Sequence, residues 1–271
     1  MNQNPPQTKP FASPKQYAIC SLFLCLAAML IVAVIIVVAC GDENLAGHLG
    51  LLFGGVVGLL LYRLGGNKLH LGAQIRNYHV TVPLVTFVTQ WTACELASTL
   101  YGLIACRFSS IEPDTNDNST LLLILGSVII APVSEELMFR LCGMGLLKKC
   151  SKKWFTILFT TLLFALLHSF YSMQGVVNVF TGTIFMAICY YETENILYTI
   201  LVHMLHNLSC LPDLSLIYRL NNGYSLLTAP AAAVSLIVFL AGLYWFVKVL
   251  PQKYAAAPAN VPQQPDAENA S

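Results

Sequence analysis

Residues 121–147 read LLLILGSVIIAPVSEELMFRLCGMGLL, an apolar run broken by Ser134-Glu135-Glu136-Leu137-Met138-Phe139-Arg140. Three formal charges fall within six residues of a stretch that is otherwise oil. A charged residue at the centre of a membrane helix costs about 2.5–3.5 kcal/mol. Three together need pairing or hydration, and helical geometry supplies part of it. Glu136 and Arg140 are four apart, so they share a face and can pair. Glu135 is rotated about 100° away from Glu136 and points elsewhere. Pro132 just upstream loosens the backbone near the carboxylates.

The rest of the chain is built for the same solvent. Of its 271 residues, 56% are hydrophobic and 10% charged, and mean hydropathy is +0.68. A soluble domain carries about 25% charged residues. Runs of roughly 20 apolar residues are long enough to span a bilayer, and in lipid such runs must be helical to pair their own backbone. The expected fold class is therefore all-α, a polytopic membrane protein of about eight transmembrane helices around an intramembrane polar site. The hydrophobic segments fall at about 17–40, 47–62, 82–106, 120–147, 154–171, 174–191, 195–211 and 226–249. The second, sixth and seventh are short, which suits tilted or re-entrant helices. Residues 1–16 and 251–271 are polar, proline-bearing tails expected to be disordered and cytoplasmic. Between them, 17–250 forms one transmembrane domain.

Charge placement orients the expected spans. With both termini inside, the inner loops and ends hold Lys9, Lys15, Arg63, Lys68, Arg76, Lys148, Lys149, Lys152, Lys153, Lys248 and Lys253. The outer loops hold only Arg107 and Arg219. An N-in, C-in arrangement with eight spans satisfies the positive-inside rule. The net charge of +1 gives no reason to expect a nucleic-acid partner. Nine cysteines occur without a C-x-x-C, mostly in apolar runs, and read as packing residues. Val37-Val38-Ala39-Cys40 resembles a lipoprotein cleavage box, but its apolar run is longer than a cleaved signal needs. Asn118-Ser119-Thr120 matches a glycosylation triplet. Gly54 and Gly58 form a small-x-x-x-small pair for close helix packing. No internal repeat is visible.

Two later segments carry polar partners for the charged run. The fifth, WFTILFTTLLFALLHSF, ends in His168, with Phe164 one turn earlier on the same face. The seventh, NILYTILVHMLHNL, places His203, His206 and Asn207 on one side. Each has a structural reading as well: an intramembrane His or Asn often hydrogen-bonds between helices, and a Glu–Arg pair can be a clasp. Their joint occurrence favours a site. Glu95 has no partner motif and reads as structural or cavity-lining, and His206 as packing beside the site.

Glu135-Glu136-x-x-x-Arg140, Phe164-x-x-x-His168 and His203-x-x-x-Asn207, in that order, resemble the motifs of the CPBP family over about residues 120–211. These are the CAAX proteases and bacteriocin-processing enzymes, a group of intramembrane endopeptidases. Leu141 stands where many members have Gly, and Tyr191–Ile196 replaces a frequent Thr-Gly turn. The resemblance implies hydrolysis of a peptide bond in a bilayer. Glu135 activates water, His168 holds it or shuttles its proton, His203 and Asn207 stabilise the oxyanion, and Glu136 pairs with Arg140. It leaves open a divalent metal such as zinc, with Glu135, His168 and His203 as ligands. The implied substrate is a peptide or protein, prenylated or of the bacteriocin-leader kind, and similarity to prokaryotic members implies a bacterial cytoplasmic membrane. Two other functions suit these features: a non-catalytic bacteriocin-immunity or partner-binding protein on the same fold, and a proton-coupled transporter using the same Glu and His residues.

Overall fold

The protein is described from a computed structural model over residues 13–104, 124–168, 173–210 and 228–256. Asn118, Arg107 and Arg219 lie outside the described residues. Nine helical stretches make up the described chain: α1 (Pro14–Cys40), α2 (Glu43–Leu64), α3 (Leu71–Arg76), α4 (Thr81–Ile104), α5 (124–147), α6 (Lys153–Leu167), α7 (Met173–Thr193), α8 (Ile196–Ser209) and α9 (228–253). No strand occurs among the described residues. All but α3 match the expected hydrophobic segments in order.

Local chemistry sets the ends. Ser13 caps α1 by accepting from the Gln16 N–H, Pro14 occupies its first turn, and Gly41 closes it at φ +69°. Asp42 accepts from the Leu45 N–H and starts α2 in the polar GDEN loop, before its apolar run begins. α2 and α7 are therefore 22 and 21 residues long, not short. The short helices are α6 and α8, at 15 and 14 residues. Residues 13–16 and 251–253, grouped with the tails in the sequence, belong to the ends of α1 and α9.

By length and composition, four helices can cross a membrane: α1, α2, α7 over Gly175–Thr193 and α9 over Ala232–Lys253. The large exposed side chains fit that setting. Val38, Ile31, Val34 and Leu30 project outward from α1, with Val38 82% exposed. The interior is assembled in three clusters. α1, α2, α5 and α6 meet at Leu22, Cys25, Met138, Phe139, Cys142 and Phe164. α5, α6, α7 and α8 meet at Leu141, Met144, Ile157, Tyr190 and Ile196. α4, α7, α8 and α9 meet at Val82, Phe185, Cys189, Tyr198 and Phe246. α5 and α8 thus lie between the α1–α2 pair and the α4–α9 pair.

Glycine lets α2 press on its neighbours. A Cβ at Gly55 would stand 2.9 Å from Ser134 Cα, and one at Gly58 would stand 3.0 Å from the Leu137 carbonyl oxygen. Both contacts are with α5 backbone beside the charged turn. Gly54 faces the Cys25 carbonyl of α1 and Met138 of α5. The small-x-x-x-small pair is therefore a packing device, as its spacing suggests. The eight described cysteines are all free, and Cys25 and Cys142 meet in the first cluster with their sulfurs 3.9 Å apart.

One end of the bundle gathers Lys68, Lys148, Lys149, Lys153 and Lys253. Lys148 pairs with Glu194 at 2.7 Å, and Lys153 with Glu192. The 65–80 connection is stapled there: Gln74 donates to the Glu194 carbonyl, Asn195 donates to the Gln74 carbonyl, and Tyr198 donates to the Asn77 carbonyl. The Ala256 N–H reaches the Glu192 carbonyl and ties down the end of α9.

Candidate active site

α5 is not uniformly wound. It makes wide π-turns at Gly126–Ile130 and Leu137–Met144, with an α-helical stretch, Ala131–Glu136, between them. Such widened turns are frequent at functional sites. Pro132 accounts for part of this. The Ala131 N–H bonds five residues back to the Gly126 carbonyl. In that register the Ser127 carbonyl falls to Pro132, which has no N–H to give. Asn207 of α8 donates to the Ser127 carbonyl instead, at 2.8 Å. The proline thus links α5 to α8 rather than simply bending a helix.

The second π-turn carries the buried ion pair. Arg140 Nη1 donates to Glu136 Oε1 at 2.8 Å, with the two side chains 2% and 0% exposed. The same carboxylate oxygen faces His203 Nδ1 of α8 at 3.0 Å. Arg140 also reaches the Thr183 carbonyl of α7, at 3.5 Å. Removing one member of such a group would leave a charge buried in a dry interior, so the three act as a unit.

His203 turns its other nitrogen toward Glu135. Nε2 lies 3.7 Å from Glu135 Oε2, too far for a direct hydrogen bond. With Nδ1–H assigned as donor to Glu136, Nε2 is the atom that faces the second carboxylate. One water can bond to both Nε2 and Oε2 at that separation. Glu135 is also within electrostatic reach of His168 and Arg140.

Phe164 of α6 organises the remaining groups. Its ring stacks on His168 at 4.5 Å, meets His203 edge-on at 6.0 Å and carries the Arg140 guanidinium at 5.0 Å. Phe139 of α5 packs edge-on against it at 4.9 Å. His168 caps the end of α6, and its Nδ1 lies 2.8 Å from the Phe164 carbonyl. An N–H on Nδ1 makes that bond and turns the Nε2 lone pair outward.

The structure therefore gathers Glu135, Glu136, Arg140 and His203 directly, and brings His168 in through Phe164. Asn207 is committed through one amide N–H to α5 backbone. His206 turns to the α4 side, with its Nε2 3.9 Å from Cys210 Sγ. Glu95 lies near Cys94 and Cys210 on that flank, outside the cluster. The sequence did not reveal that His203 bonds Glu136, nor that the Thr183 carbonyl receives Arg140. A backbone acceptor carries no residue signature, although His203 at mid-helix marked the right face. No three His, Cys, Asp or Glu side chains converge as a metal-ligand set among the described residues.

Four helices long and apolar enough to span, around a bundle whose α5 and α8 bury two carboxylates, an imidazole and a guanidinium together, define a class: an integral membrane protein with a polar cluster in its interior. Residues 117–209, about a third of the chain, match the family model described as type II CAAX prenyl endopeptidase Rce1-like. The match runs from just before α5 to the end of α8 and takes in the whole cluster. No curated protein and no solved structure matches the chain.

Proposed function

We propose that the protein is an intramembrane endopeptidase of the CAAX type, with eight spans and the lysine-rich end on the cytoplasmic side of a bacterial membrane. The observation that carries this reading is His203 lying between two carboxylates of opposite circumstance. Glu136 is sealed against Arg140, whereas Glu135 stands 3.7 Å from the imidazole's other nitrogen. Glu135 takes a proton from the water held between them, and the hydroxide attacks the substrate carbonyl carbon. His203 carries hydrogens on both ring nitrogens throughout: Nδ1–H stays on Glu136, and Nε2–H, which first bonds the water, donates to the oxyanion. The second amide N–H of Asn207 supports the same oxygen. The proton on Glu135 then passes to the leaving nitrogen as the C–N bond breaks. His168, seated on Phe164, aligns the water through Nε2. The substrate is a membrane-proximal peptide segment, prenylated or leader-like.

Glu135→Gln keeps the shape and removes the base, so turnover is expected to fall about 10²–10⁴-fold with the folded yield unchanged. Cleavage products of cells expressing wild type, Glu135→Gln and His203→Ala are compared by terminal-peptide proteomics at equal protein levels. Identical profiles would sink the protease reading and leave the immunity or partner-binding role. Activity that persists after exhaustive chelation is the result expected of a glutamate-activated water.

A further inference from the structure

The lysine-rich end contains a half-open cavity of about 380 Å³, lined by α3, the turn between α7 and α8, and the end of α9. That volume lies in the range of small-molecule sites, about 300–1,000 Å³. Its rim holds Lys68, Lys253, His70 and His79. The one carboxylate in the lining, Glu194, is already paired with Lys148 at 2.7 Å. Among the described residues, neither Lys68 nor Lys253 has a carboxylate within ion-pair distance. The cavity is thus cationic and uncompensated.

A second observation narrows the ligand. Gln74 spends its amide N–H on the Glu194 carbonyl, while its Oε1 is buried and has no hydrogen-bond donor. A buried acceptor left unpaired costs about 1–3 kcal/mol. An oxyanion alone would satisfy the lysines but not this oxygen, whereas a phosphate bearing a hydroxyl satisfies both. Tyr62, Tyr198 and Tyr254 supply amphipathic walls. The level in the bilayer also fits, since Lys253 ends the α9 span and Lys68 lies four residues beyond α2. Headgroups of anionic lipids occupy that depth. Leu141 lines the cavity, whereas Glu135, Glu136, Arg140 and His203 do not, so a ligand there does not enter the site.

We propose that this cavity binds the headgroup of an anionic glycerolipid, with Lys68 and Lys253 on the phosphate and Gln74 Oε1 accepting from a headgroup hydroxyl. The site is separate from the proposed chemistry and does not depend on it. A bound headgroup joins the 65–80 connection, the base of α8 and the end of α9, and so braces the helix that carries His203.

The test uses the full chain in nanodiscs of phosphatidylcholine doped with phosphatidylglycerol or phosphatidic acid, followed by native mass spectrometry of the retained lipid. Wild type is expected to keep phosphatidylglycerol. Lys68→Gln/Lys253→Gln should lower retention about twenty-five-fold, each cation contributing about fivefold. Gln74→Leu should abolish the preference for phosphatidylglycerol over phosphatidic acid, which lacks the headgroup glycerol and its hydroxyls. Lys15→Gln/Lys152→Gln removes the same charge from the same end outside the cavity and should leave retention unchanged. Equal loss in that control would mean diffuse surface attraction and overturn the site. Equal thermal protection by inorganic phosphate or glycerol 3-phosphate in phosphatidylcholine discs would overturn the lipid assignment.

Discussion

α1 and α5 are both apolar runs, yet they spend their surfaces in opposite ways. α1 carries no charge beyond Lys15 and turns Leu30, Ile31, Val34 and Val38 outward. α5 carries three charges and buries Arg140 to 1% exposure and Glu136 to 0%. In water the apolar helix would be the core and the charged one the surface. In lipid the outward face needs only to be apolar, and the bundle interior is where polar groups find partners. Position in the bundle therefore follows the need for partners, and hydrophobicity alone does not mark the core.

The largest test of this contrast is Arg140→Met, which strands the Glu136 carboxylate. It should cost about 3–5 kcal/mol in thermal or SDS unfolding of the reconstituted protein. The double variant Glu136→Gln/Arg140→Met should recover much of that loss, and if it is no better than the single variant, the pair is not the reason for burial. Next comes Gly55→Ala. Its new Cβ meets α5 backbone at 2.9 Å, and overpacking of this kind costs about 1–3 kcal/mol. Gly47→Ala on the same helix meets nothing within 4 Å and should be neutral or stabilising by up to about 1 kcal/mol. Equal effects at the two glycines would break the claim that Gly55 sets the close approach of α2 to α5.

Phe164→Leu is the third test. It removes the ring under Arg140 and His168, for about 1 kcal/mol of stability, and should lower turnover more than substrate affinity. The smallest effect is expected on the lipid face. Val38→Leu should stay within about 0.5 kcal/mol, and a larger loss there would mean that α1 is covered by a partner rather than by lipid.

What the sequence disclosed, and what it did not, follows the same division. Apolar runs are one-dimensional facts, so all eight hydrophobic segments, α5 among them, could be located from them. The Glu136–Arg140 pair was legible because both residues sit on one helix at a fixed spacing. The distance from His203 to each glutamate was not, since spacing gives a face and says nothing of how closely two helices approach. The π-turns of α5 leave no mark in composition. α3 is six residues with no sustained apolar run, so nothing signalled a helix there. The length of α2 was misjudged because its start is set by the polar Asp42 cap and not by hydrophobicity.

The pairing of Glu136 with Arg140 inside a single helix also bears on how the protein is made. His203 lies 67 positions after Glu136. At about 5–20 residues per second of synthesis, α5 precedes its imidazole partner by some 3–13 s. During that interval Glu136 and Arg140 neutralise each other on their own helix, so α5 can leave the insertion machinery with Glu135 as its one uncompensated charge. A carboxylic acid can wait out that interval protonated, whereas an isolated arginine cannot shed its charge. The early pair thus allows biogenesis to proceed in chain order, and the arrival of α8 then brings His203 to a pair that is already neutral.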